Sequence, residues 1–125
     1  MSSCMSSYFV RGEGGRTSVQ IADRISYDLA FDEVVNVLFR SFEIEMINKE
    51  AGYIRTSWRT TWAGGPTSTP QKRYRVRVTI NMSPTRQRID ILTEAERLRG
   101  DRWVRGNDTR LLETVRRDIA GNVGM

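Results

Sequence analysis

Apolar residues along this chain fall into two periods. In the run "LAFDEVVNVLFRSF", Phe31, Val34, Val35, Leu38, Phe39 and Phe42 recur at i, i+3, i+4, i+7, i+8 and i+11, a spacing that draws one apolar stripe down a helix. Asp32 and Glu33 in its first turn and Arg40 in its last suit the helix dipole. A stripe this wide and aromatic needs something flat to lie against.

Runs with period two predict that flat partner. In "SFEIEMINK", Phe42, Ile44 and Met46 alternate with Glu43 and Glu45, and "EAG" then supplies a turn in which Gly52 is free to take a positive φ. "YIRTSWRTTW" sets Ile54, Thr56, Trp58, Thr60 and Trp62 on one side against Tyr53, Arg55, Ser57 and Arg59. "RYRVRVTINM" turns Tyr74, Val76, Val78, Ile80 and Met82 inward and Arg75, Arg77, Thr79 and Asn81 outward, until Pro84 ends it. "RQRIDILTEAERL" returns antiparallel with Ile89, Ile91 and Thr93 facing in. Outward arginines of one strand can then face outward carboxylates of the next, each pair contributing at most about 1 kcal/mol.

The remaining pieces complete an α+β plan. "TSVQIADRISYD" predicts a first, edge-type strand through Val19 and Ile21, and "AGGPTSTPQK" a loop. "DTRLLETVRRDIAG" predicts a second helix, capped by Asp108, stopped at Gly121 and buried through Leu111, Leu112, Val115 and Ile119. The expected fold is an antiparallel sheet of four to five strands packed against two helices on one face. Residues 1–16 read as a flexible leader, and residues 17–125 as a single domain.

Composition narrows the chemistry. With 38% hydrophobic and 28% charged residues the chain is globular, and its +5 charge is nearly all arginine, which suits nucleic acid, anionic lipid or an acidic protein face, or simply a solvated surface. No apolar run reaches the length of a membrane-spanning helix. The single cysteine excludes an internal disulfide and a thiolate metal cluster, and the absence of histidine removes the commonest general base and metal ligand. The expectation is a non-catalytic protein with no cofactor and no metal site. "GEGG" at 12–15 lacks the Lys-Ser/Thr of a phosphate loop, and Asp28, Asp32 and Glu33 need no role beyond the helix start.

The candidate binding residues lie in "RLRGDRWVRGNDTR", where Arg97, Arg99, Arg102, Arg105 and Arg110 surround Trp103. Guanidiniums beside an exposed ring suit stacking on single-stranded nucleic acid. The structural alternative is a sheet edge in which Trp103 packs under the last helix and the arginines pair with Asp101, Asp108, Glu94 and Glu96. Nucleic acid is the lesser expectation, because no nucleic-acid motif accompanies the charge. Trp58 is expected in the core and Trp62 at a mouth between sheet and helix. A groove there could take a small apolar ligand, although Phe39, Phe42 and Trp58 are large enough to fill it.

The run "FDEVVNVLFRSFEIEMINKEAGYIRTSW" resembles the BamC-like outer-membrane lipoproteins, in which an amphipathic helix leads into a strand, an acidic-Gly turn and a strand ending in an aromatic. "RYRVRVTI", "RIDILTEA" and "LLETVRRDI" fall where that pattern places two further strands and a closing helix. The resemblance implies a helix-grip domain, an antiparallel sheet wrapped around a helix, and a non-catalytic role toward another envelope protein. It also bears on Cys4, which follows two serines as a lipoprotein cysteine follows two small residues, with Met1 where leucine is usual. On this reading Cys4 carries acyl chains and holds the domain at the periplasmic face of the bacterial outer membrane. Alternatively, Met1 is a native start ahead of an incidental thiol, and the chain is a cytosolic nucleic-acid-binding module using residues 97–110.

Overall fold

The computed structural model describes residues 9–63, 72–83, 85 and 87–124, without the side chains of 61–63, 72 and 73. Within these residues the order is β1 (Phe9–Arg11), β2 (Gly15–Gln20), α1 (Tyr27–Phe39), β3 (Ile44–Asn48), β4 (Tyr53–Thr56), β5 (Arg59–Ala63), β6 (Lys72–Ser83), β7 (Arg88–Arg99), β8 (Arg102–Asp108) and α2 (Thr109–Val123). The fold is α+β, with one antiparallel sheet ordered β1-β8-β7-β6-β4-β3. β2 shares the outer edge of β7, and β5 that of β6.

Eight strands stand where four to five are expected, for three local reasons. Phe9–Arg11 falls in the predicted leader yet pairs with β8, its Phe9 ring meeting Tyr74 edge-on at 5.9 Å. "RGDRWVRGND" forms β8 after a turn at Gly100, whose φ is +65°. The run expected as one strand after Gly52 is split into β4 and β5.

That split changes which way side chains face. Ile54 pairs with Ile80 and Arg59 with Val76, so five steps on one strand match four on its neighbour, an irregularity of one residue that inverts the alternation. Thr56 remains buried, and its Oγ1 accepts the Val78 N–H at 2.9 Å where no ladder bond reaches. Arg59 therefore falls on the helix side. Trp58 leaves its expected core position for the opposite face.

β6 and β7, twelve residues each, form the centre of the sheet. Their inner residues Tyr74, Val76, Val78, Ile80, Met82, Ile89, Ile91, Thr93 and Ala95 are buried as the alternation predicts. Gly52, at φ +71°, closes the β3–β4 turn against β6, where an added Cβ would lie 2.0 Å from the Met82 carbonyl oxygen.

Both helices bury their apolar sides in the same core. In α1 the buried positions are Ala30, Phe31, Val34, Val37 and Leu38, while Phe39 is 70% exposed. The stripe is rotated from its expected position: around the axis Val37 lies about 60° to one side of Val34 and Leu38 about 40° to the other, while Phe39 lies about 100° beyond Leu38. Asp108 caps α2, its Oδ1 accepting the Arg110 and Leu111 amides at 3.0 Å each. The helix runs past Gly121 to Val123, and Val115, Ile119 and Val123 form its buried row.

Candidate functional site

The face of the sheet turned away from the helices is built by the alternation of β6. Register sets Arg75 opposite Glu96 and Arg77 opposite Glu94, and each arginine Nε donates to its carboxylate at 2.8 Å. These are the cross-strand pairs that the outward charges predict. The irregularity between β4 and β5 adds Trp58, whose ring centroid lies 4.5 Å from the Arg75 guanidinium and 4.4 Å from that of Arg77. Trp103 of β8 pairs in register with Leu98, so it shares this face, and its ring is 3.9 Å from Arg75. Arg75 thus touches two indoles and a carboxylate, in a geometry that combines cation–π contact with a charge-assisted hydrogen bond. Because Arg75 and Arg77 each have a carboxylate partner, the centre of this face is close to neutral.

The edge of β8 is different. Arg99 and Arg102 are the last pair of the β7–β8 ladder. β1 covers β8 from Gly106 to Asp108, and the Gly12 amide donates to the Arg105 carbonyl at 3.1 Å. From Arg102 to Val104 no described strand pairs with the outer edge. A recess of about 550 Å³ opens there, lined by Arg11, Arg99, Arg102, Trp103, Val104 and Arg105. All four arginines are exposed, and none forms an ion pair with a described residue.

Of the site residues expected from sequence, Arg99, Arg102, Trp103 and Arg105 come together at this edge. Trp103 does not pack under the last helix; its place in the alternation of β8 puts it on the other side of the sheet. Glu94 and Glu96 serve Arg77 and Arg75 rather than the hairpin arginines. Trp62 pairs with Arg73 near the end of β5, and its side chain lies outside the described residues, as does Cys4. Arg11 was missed because its strand sits in the stretch read as leader.

Arg97 leaves the cluster. It pairs in register with Tyr74 on the helix side, its guanidinium 5.0 Å from the Phe9 ring centroid, and its buried Nε has no hydrogen-bond partner among the described residues. Beside it the Tyr74 hydroxyl donates to Asp108 Oδ2 at 2.8 Å. Burial, reinforced by the Asp108 carboxylate, pushes the Tyr74 pKa well above the usual phenol value, while Arg97 pulls the other way. This arrangement ties the β8–α2 junction to β6 and is structural.

A smaller recess of about 290 Å³ lies between Phe39, Phe42, Trp58 and Arg59. Arg59 stacks over the Phe42 ring at 4.4 Å and donates to the Ser41 carbonyl at 3.1 Å, so a guanidinium shares the space expected to hold an apolar ligand. No helix of the described residues is long and apolar enough to cross a membrane. Compared with models of known protein families and with curated proteins, the chain finds no match.

Proposed function

We propose that this chain is the interaction module of a bacterial envelope lipoprotein, non-catalytic, held at the periplasmic face of the outer membrane through an acylated Cys4 and presenting its sheet to another envelope protein. The observation that carries the interaction role is the two-layer build. Both helices occupy one face, which leaves the Trp58–Arg75–Trp103 face and the β8 edge turned outward on a rigid support. The same layering supports the helix-grip arrangement that the BamC-like resemblance implies. What supports the tether is the Ser-Ser-Cys sequence, five residues ahead of a strand on the rim of the sheet. Two or more acyl chains give a lasting hold where one does not.

Expression in a bacterial host behind the natural upstream sequence tests this. The expected result is an acylated N-terminal cysteine by mass spectrometry and sedimentation with membranes, both lost in Cys4→Ser. An unmodified thiol overturns the tether. A nucleic-acid-binding reading draws on one observation, the four arginines beside Trp103 that have no ion-pair partner among the described residues. Filter binding across a salt series decides it, and no salt-dependent retention of RNA or DNA ends it.

A further inference from the structure

We propose that the free edge of β8 receives an extended, acidic segment of the partner protein as an added strand. This rests on the reading that the chain works through protein contacts, and it does not depend on the lipid tether. Between Arg102 and Val104 the main chain has no described neighbour on its outer side; because the Arg105 carbonyl faces outward to accept the Gly12 amide, alternation also turns the N–H and C=O of Trp103 outward, and that pair is the template for strand addition. Side chains alternate across that edge. Val104 pairs with Arg97 on the helix side and Arg105 with Glu96 on the open side, so Arg102 falls with Val104 and Trp103 with Arg105. An incoming strand alternates in the same way. One with carboxylates toward both faces meets guanidiniums on both, in pairs able to form charge-assisted, bidentate hydrogen bonds.

The same charges exclude competitors. A second copy offering its own β8 edge brings two sets of Arg99, Arg102 and Arg105 side by side, and that concentration of like charge opposes the pairing. Asp101, exposed at the turn, offsets only part of this. A nucleic-acid strand needs a basic track; across the open face Arg75 and Arg77 are already engaged by Glu96 and Glu94.

The test uses the full chain without lipid. A short labelled peptide whose aspartates come in adjacent pairs separated by pairs of valines, so that carboxylates fall on both faces of an extended strand, is titrated by fluorescence anisotropy alongside its serine and lysine counterparts, an oligothymidine and phosphatidylglycerol vesicles, with amide hydrogen exchange followed at Trp103. The aspartate peptide is expected to bind, to slow exchange at the Trp103 amide, and to weaken by at least about tenfold in Arg99→Gln/Arg102→Gln. Arg24→Gln/Arg40→Gln, which removes the same charge from exposed positions elsewhere, is expected to change binding by less than about twofold. Equal binding of the serine peptide, equal losses in the two double variants, or unchanged exchange at the Trp103 amide overturns the proposal, as does absence of binding. Tighter binding of oligothymidine or vesicles with the same arginine dependence reassigns the edge to phosphate and overturns it too. Loss of the Cys4 acyl group leaves this result unaffected, and failure of the peptide leaves the tether standing.

Discussion

β6 presents two chemistries from one strand. Toward the helices, Tyr74, Val76, Val78, Ile80 and Met82 are buried among Phe31, Val34, Leu38 and Ile119; away from them, Arg75 and Arg77 reach across to Trp58, Trp103, Glu94 and Glu96. The inner face is held by area removed from water, which is non-directional. The outer face is held by paired geometry, in which each group works only while its neighbour stays in place. Cutting one methylene cluster from the inner face should therefore cost more than changing any one outer contact. Ile80, fully buried, is the clearest case: Ile80→Ala is expected to lose about 2–5 kcal/mol, read as a lower urea midpoint with unchanged slope. A loss under about 1 kcal/mol would mean that the helices do not cover β6.

The one polar group in the inner row of β6 gives the next effect down. Tyr74→Phe keeps the ring and removes the donor to Asp108 Oδ2, with an expected loss of about 1.5–3 kcal/mol, the range for a hydrogen bond to a charged acceptor. The difference should also depend on pH. Burial and Asp108 raise the Tyr74 pKa in the folded chain, so the folded state retains a phenolic proton that the unfolded chain releases near pH ~10. The resulting stability is complete below that pH and falls as pH rises above it. Phenylalanine has no such proton, so the gap between wild type and Tyr74→Phe should narrow in alkali. A gap constant across about pH 8 to 11 would show that the phenol ionises as freely in the fold as out of it.

The inner face was legible in the sequence and the outer face only in part, for a physical reason. Period-two alternation in β6 and β7 gives their buried residues and the expectation that outward arginines face outward carboxylates, because both strands are long and uninterrupted, while the register that joins Arg75 to Glu96 and Arg77 to Glu94 comes from the structure. The position of Trp58 depends on one extra residue between Thr56 and Arg59, and nothing in "YIRTSWRTTW" distinguishes a straight strand from one whose faces exchange halfway. Trp103 and Arg97 were misplaced for the same kind of reason: "RLRGDRWVRGND" lacks the apolar alternation that would fix its faces, so the hairpin at Gly100 had to be seen. Phe9 and Arg11 lie in too short a strand to show any period. The β8 edge, which combines three of these misreadings, was visible only as a charge cluster.

The smallest expected effect isolates what Trp103 adds to the outer face. Arg75 and Arg77 have similar surroundings, since each donates Nε to a carboxylate at 2.8 Å and each lies about 4.4–4.5 Å from Trp58, but Arg75 also donates from Nη2 to Glu96 Oε1, a contribution that salt weakens, and lies against Trp103 at 3.9 Å. Lysine at either position keeps the charge and loses the planar fork, which a point charge cannot replace when a ring and a carboxylate are engaged together. Arg75→Lys is therefore expected to cost about 0.5–1.5 kcal/mol more than Arg77→Lys, the range for one cation–π contact at a partly covered site. High salt should shrink the carboxylate part of both losses and leave the ring part of their difference largely intact, because screening acts on the ion pair far more than on a ring in contact. Equal losses in the two variants would mean that Trp103 rests beside Arg75 without holding it, and the rigidity assigned to this face would then come from the salt bridges alone.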